Sequence, residues 1–142
     1  MIKLITLCGT PASGKTTLSK ELAEKYNAKL YCFDKFEGAF SPSKAEKVRS
    51  QMHKDIAEDL RNGINVVCDD LNTKLKWRSS LLSAVSDIEC KKTLVVMTTP
   101  LEVCLERNRK REFVLPDFVI TSIHKDYEAP TLSEGWDEII YY

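Results

Sequence analysis

Gly9-Thr10-Pro11-Ala12-Ser13-Gly14-Lys15-Thr16 sits between the apolar run Ile2-Lys3-Leu4-Ile5-Thr6-Leu7-Cys8 and the helical pattern Thr17-Leu18-Ser19-Lys20-Glu21-Leu22-Ala23. Strand, glycine-bounded loop, helix is the context that a phosphate-cradling loop requires. Glycines at both ends let the backbone curl until several N–H groups aim at one anion. The helix that starts there adds its dipole, equivalent to roughly +0.5 charge at the N-terminus. In this pattern Lys15 reaches the β- and γ-phosphates, and the Thr16 hydroxyl ligates Mg²⁺. The rival reading is a plain strand-turn-helix corner with a solvated lysine. The setting favours nucleotide binding, with Gly9 through Thr17 as the contact segment.

The chain has 142 residues, enough for one domain with a real core, and is read as the single domain 1–142. Its formal charge is zero, so no global field announces nucleic acid or membrane. The layout is nevertheless lopsided. From Lys74 to Arg111 nine basic residues face four acidic ones; from Glu112 onward seven acids face Lys125 alone. A local positive zone suits a phosphate-rich ligand, and ordinary surface charge is the alternative. Five cysteines, with no CxxC pair, point to free thiols, no disulfide and a reducing compartment. Cys8, Cys32 and Cys68 lie in apolar runs, where a thiol acts as a small hydrophobe. No run is long enough to span a bilayer and the N-terminus is no signal peptide, so a cytoplasmic protein is expected.

Apolar stretches alternate with helical patterns. Strands are predicted over 2–8, 29–33, 64–68, 92–97 and 138–142, and helices over 15–26, 43–61, 74–85, 101–111 and 116–127. The Val/Ile/Leu-rich runs suit strands covered on both faces. In the second helix Val48, Met52, Ile56 and Leu60 recur every four residues as one apolar stripe. Ser43 is expected to cap its start, or Ser41 with Pro42 at the first position, and Asn62-Gly63 to stop it. The alternation predicts an α/β fold with a parallel sheet.

In such sheets ligands bind beyond the carboxyl ends of the strands. The first strand is followed there by the glycine loop, the second by Asp34, and the third by Asp69, Asp70 and Asn72. Asp34 is the expected general base, since a carboxylate within about 2.6–3.2 Å of a hydroxyl can take its proton as a phosphoryl group arrives. A turn aspartate is the alternative. Asp69 and Asp70 should point to opposite faces; Asp69 is preferred for the metal or the acceptor hydroxyl. Asn72 serves the acceptor or an Asx turn. Arg107 and Arg111, four apart on one helical face, read as a phosphate clamp or as a solvated helix end. His53 and His124 are read as packing or surface residues, and Trp77, Trp136 and the terminal tyrosines as packing at the core edge.

These motifs resemble the kinase domain of 5′-hydroxyl polynucleotide kinases, and more broadly their P-loop relatives, including seryl-tRNA kinases acting on selenocysteine tRNA. GTPASGKTT is similar to the family's phosphate loop, and Asp34 to its base position. VVCDDLN is similar to its strand-end Asp, with Arg78 at a recurrent arginine. ERNRKR before VLP is similar to an arginine lid carrying Arg107 and Arg111. DYEAPTLSEGWDEI is similar to the closing segment of the animal-type enzymes. The resemblance implies a three-layer P-loop kinase fold, with a five-stranded sheet in the order 2-3-1-4-5, helices on both faces and an arginine lid. It implies transfer of the ATP γ-phosphate to the 5′-hydroxyl of RNA or DNA. Lys15, Thr16 and the lid arginines would hold ATP·Mg²⁺, while Asp34, Lys35, Asp69, Asn72 and Arg78 would face the acceptor. Any phosphatase or ligase partner would be a separate protein.

One departure keeps other acceptors open. Glu37 and Gly38 stand where many relatives carry an arginine that grips an acceptor phosphate, and a carboxylate repels one. A nucleoside, a small metabolite or a tRNA-attached group is the second expectation. A nucleotide-dependent binding protein that hydrolyses ATP slowly is the third.

Overall fold

The computed structural model describes residues 1–142. Five strands, β1 (Lys3–Cys8), β2 (Lys29–Cys32), β3 (Val66–Asp69), β4 (Lys91–Val96) and β5 (Glu138–Tyr141), form one sheet. Its order is β2-β3-β1-β4-β5, as expected, and every pairing is parallel. Five helices connect the strands: α1 (Lys15–Lys25), α2 (Ala45–Arg61), α3 (Leu75–Ala84), α4 (Leu101–Arg109) and α5 (Asp117–Lys125).

Side chains alternate across each strand, so one run supplies two cores. Leu4, Cys8, Val66, Cys68, Leu94 and Val96 face the stripe Met52, Ile56 and Leu60 of α2, together with Leu81 and Leu82 of α3. Ile5, Leu7, Val67 and Val95 face Leu18 of α1, with Leu22, Ala23 and Tyr26 closing the layer. Burying each such Leu, Ile or Val contributes about 1.5–3 kcal/mol. Trp136 joins the first core as expected. Trp77 belongs to neither cluster but is half-buried at the edge against Arg49, whereas Tyr141 and Tyr142 stay more than half exposed and do not pack as expected.

Two helix ends differ from expectation. Neither Ser41 nor Ser43 caps α2: the helix starts at Ala45, and the two serine hydroxyls bond each other at 3.2 Å. The Ser41 carbonyl instead accepts the Lys44 and Ala45 N–H groups. Helix α4 stops at Arg109. Asn108, fully buried in its last turn, donates its side-chain amide to Leu115 O at 2.7 Å and accepts from Leu115 N at 3.1 Å, folding the chain back. At the end of α2 the expectation holds. Gly63, at φ +79°, donates to Leu60 O, and Ile64 donates to Asp59 O, a Schellman closure.

The register positions the site. Asp69 lies opposite Leu7 of β1 and opposite Cys32 of β2. The residues that follow these three strands therefore emerge at one level of one sheet edge.

Candidate active site

The loop after β1 is held open by its backbone. Ala12 and Gly14 take φ +64° and +98°. Gly9 donates to Leu71 O at 2.9 Å, anchoring the loop to the β3 edge. A β-carbon on Gly9 would come within 2.8 Å of Ser13 Oγ and 2.9 Å of Met97 Cβ, so only glycine fits. No side chain caps α1 and its first turn carries no acid, which leaves its N–H groups free for an anion. Lys15 folds back over the loop, donating Nζ to Thr10 O at 3.2 Å. Thr10 ties the loop to α4 through Cys104 Sγ at 3.4 Å, and Thr99 Oγ1 donates to Ser13 O at 2.7 Å.

Above this loop opens a cavity of about 870 Å³, within the range that holds a nucleotide. Ala12 through Leu18, Glu21, Met97 through Pro100, Val103, Arg107, Arg111 and Tyr142 line it. Arg107 reaches the loop: its Nη1 lies 3.5 Å from where a Gly14 β-carbon would stand. Arg111 lies past the end of α4, so the two arginines do not share a helical face, yet both reach the cavity. Arg111 Nη1 is buried with no partner in the chain.

The strand-end acids diverge, as expected. Asp69 is turned to the α1 side: its Oδ2 accepts from Ser19 Oγ and from Cys32 Sγ, each at 3.3 Å. Ser19 Oγ also reaches Thr16 O at 2.9 Å, which ties Asp69 to the first turn of α1. Burial, with Asp69 and Asp34 nearby, pushes the Cys32 thiol up to about 12; it stays a donor. Burial likewise raises Cys8, to about 11, and Cys68. Nowhere do three His, Cys, Asp or Glu side chains converge as a metal cage. Asp69 is instead linked to the first turn of α1, where Thr16 lies, through Ser19.

Asp34 sits in a 3₁₀ turn, Phe33–Lys35, directly after β2. Asp34, Lys35 and Glu37 are all exposed at the strand edge.

Two expected acceptor residues are committed to the fold instead. Asn72 is fully buried at φ +51°, donates to Leu7 O at 3.0 Å and does not face solvent. Arg78 is also fully buried. Its Nε and Nη2 bond Glu134 at 2.9 and 3.1 Å, and its Nη1 bonds Asn72 O at 2.9 Å. It rivets the β3 edge to the closing segment. Asn72 thus forms neither the acceptor contact nor the Asx turn expected of it but a long-range tie to β1, and Arg78 is corrected from acceptor contact to core ion pair.

Sequence reasoning missed a second buried pair. Asp70 accepts from Arg49 Nε at 2.6 Å and Nη2 at 3.0 Å. The Arg49 guanidinium lies over the ring of Phe33, at 4.0 Å, and over that of Trp77, at 4.5 Å. Nothing local marks Arg49, which reads as one more charge on α2. Nearby, His53 is buried, with Nδ1 2.9 Å from Ser80 Oγ; burial lowers it to about 4.

A family model described as the AAA domain matches residues 4–130. The chain is 28% identical to L-seryl-tRNA(Sec) kinase of Methanococcus maripaludis, over 94% of this chain and 56% of that protein. It is 24% identical to protein kti12 of Schizosaccharomyces pombe, over 97% and 56%. The chain thus spans about half the length of these curated relatives. Among solved structures it superposes on a sugar kinase from Janibacter sp. HTCC2649 with TM-score 0.79, 16% identity and coverage of 99% and 86%. Chaetomium thermophilum Kti12 in complex with ADP-AlF3 gives 0.76, 18%, and 98% and 88%. A fungal RNA kinase gives 0.75, 16%, and 99% and 38%. Identities this low show the shared fold alone.

Proposed function

Because the chain belongs to the AAA domain family, in its P-loop kinase form, we propose that it moves the ATP γ-phosphate to a hydroxyl, that of a 5′ end of RNA or DNA. One observation carries this reading. The anion-ready loop with Lys15, the Asp69 carboxylate and the exposed Asp34 leave adjacent strands at one level, and Arg107 stands against the loop. Transfer of this kind needs positioning and charge stabilisation more than covalent help from the protein.

In this proposal the loop N–H groups and Lys15 grip the β- and γ-phosphates. Thr16 and Asp69 hold a magnesium ion, which supplies charge neutralisation on the phosphate oxygens when bound. Asp34 accepts the acceptor's proton. Arg107 and Arg111 meet the charge that develops on the transferring group. The seryl-tRNA kinase relative and the resemblance of the loop, base and lid support a nucleic-acid acceptor.

A second reading is favoured by one residue. Exposed Glu37 repels a phosphate near Asp34, which suits a small neutral acceptor, and a sugar kinase shares the fold. The test is γ-labelled ATP offered in parallel with 5′-hydroxyl RNA, DNA, nucleosides and sugars. Label on the oligonucleotides alone supports the first reading, and label on a small acceptor alone supports the second. ATP hydrolysis with no labelled acceptor returns the chain to a nucleotide-dependent binding protein.

A further inference from the structure

Trp77 is the largest side chain near the acceptor edge that the proposed chemistry does not use. It is partly exposed, belongs to neither core and lies outside the nucleotide cavity. Arg49 lies over the ring at 4.5 Å, held by two hydrogen bonds to Asp70 and in contact with Phe33 at 4.0 Å. Phe33 immediately precedes Asp34, and Asp70 immediately follows Asp69. Phe33 and Asp70 thus tie Arg49 and Trp77 to the α2 side of this strand edge, next in sequence to Asp34 and Asp69 but across the sheet from the α1 side to which Asp69 turns.

Its surroundings are cationic. Lys74 Nζ and Lys76 Nζ each stand 5.8 Å from the Trp77 ring centroid, and neither is ion-paired. The carboxylate of Glu128 is engaged at the start of α3, accepting the Leu75 N–H at 3.2 Å. An indole backed by Arg49, with two lysine ammonium groups over its ring that an arriving phosphate would draw aside, suits one ligand chemistry: an unpaired nucleobase with its phosphate.

We propose that Trp77 is the platform on which the terminal base of a single-stranded acceptor stacks, with Lys74 and Lys76 meeting the adjoining phosphate. This rests on the polynucleotide reading and names its specificity element. It also accounts for Glu37: the phosphate contact that relatives make just after the base is supplied here from the start of α3.

The native chain tests it without any substitution. Two 5′-hydroxyl oligonucleotides are compared, identical except that the 5′-terminal nucleotide of one is abasic. The base-bearing one should quench Trp77 fluorescence and the abasic one should not. Trp136 is buried against Glu134 and serves as the constant signal. The abasic acceptor should show a KM raised roughly tenfold to hundredfold at similar kcat. Trp77→Leu should raise KM for the base-bearing acceptor alone, Trp77→Phe should restore most of it, and ATP KM should not move. Lys74→Gln should reduce the salt slope of oligonucleotide binding by about 0.7. Equal KM for the two acceptors overturns the platform while leaving the kinase reading intact. Phosphorylation of neither, with a small acceptor used instead, overturns both.

Discussion

Arg107 rests against Gly14, with Nη1 3.5 Å from the point where a β-carbon on that glycine would stand. A cation from α4 is thereby held at the N-terminus of α1, where the outer phosphates would lie. Thr10 and Cys104 join the same two segments by a second contact. Arg107→Ala should lower kcat about 10²–10³-fold and weaken ATP binding only a few-fold, because the guanidinium serves the charge that develops in transfer. Isothermal titration with ATP and single-turnover transfer separate the two effects. An equal loss in both would make Arg107 a ground-state phosphate clamp.

Lys15 and Asp34 should part company in the same pair of measurements. Lys15 bends over the loop to Thr10 O and belongs to the phosphate cradle. Lys15→Ala should weaken ATP binding and turnover together. Asp34 is exposed at the far strand and touches only the acceptor in the proposed chemistry. Asp34→Asn should spare ATP binding and cut turnover by about 10²–10⁴-fold. Turnover that survives Asp34→Asn removes it as the base.

Most of this edge could be read from the chain because its signals are local. A glycine loop between an apolar run and a helix, and acids at the ends of Val/Ile/Leu runs, carry their own geometry. The divergence of Asp69 and Asp70 follows from the two-residue period of a strand. What stayed hidden is tertiary. Arg78 looks like a site arginine until Glu134, 56 positions away, occupies it. Arg49 acquires its meaning only from Asp70, 21 positions on, and from two rings on other elements. The run ERNRKR has no helix breaker, so the pattern carries the helix to Arg111. The amide of Asn108 ends it by capturing Leu115, a contact that no periodicity reports.

His53 gives stability an acid limb. Burial lowers its pKa from 6.5 to about 4, with Asp70 opposing and Arg49 assisting. Between those values the unfolded chain binds a proton that the native chain does not. The contribution is fully present above pH 6.5 and is lost as the pH falls toward 4, by at most about 1.4 kcal/mol per pH unit. Urea midpoints for native and His53→Gln chains at pH 4.5, 5.5, 6.5 and 7.5 check this. The variant should have the shallower acid slope, whatever its absolute stability; parallel slopes would remove His53 as the cause.

Arg78 and Glu134 decide whether the closing segment serves the fold or the acceptor. Both side chains are nearly inaccessible, at 1% and 9% exposure. Burial alone would raise the Glu134 carboxyl. Hydrogen bonds from Arg78, Trp136 and the Thr131 N–H outweigh it and hold the group below its ordinary 4.5. The contribution is therefore intact above that value and is lost as the pH falls through the lowered one. Removing one partner strands a buried charge, so Arg78→Met should cost about 3–5 kcal/mol in denaturant unfolding. Adding Glu134→Gln to it should recover part of that loss, since the remaining group is then neutral. Arg78→Lys keeps the charge but not the fork, and should fold with reduced stability and an unchanged acceptor KM. A stable Arg78→Lys chain whose acceptor KM rises would return Arg78 to the acceptor site, and would mean that the guanidinium leaves Glu134 when substrate binds.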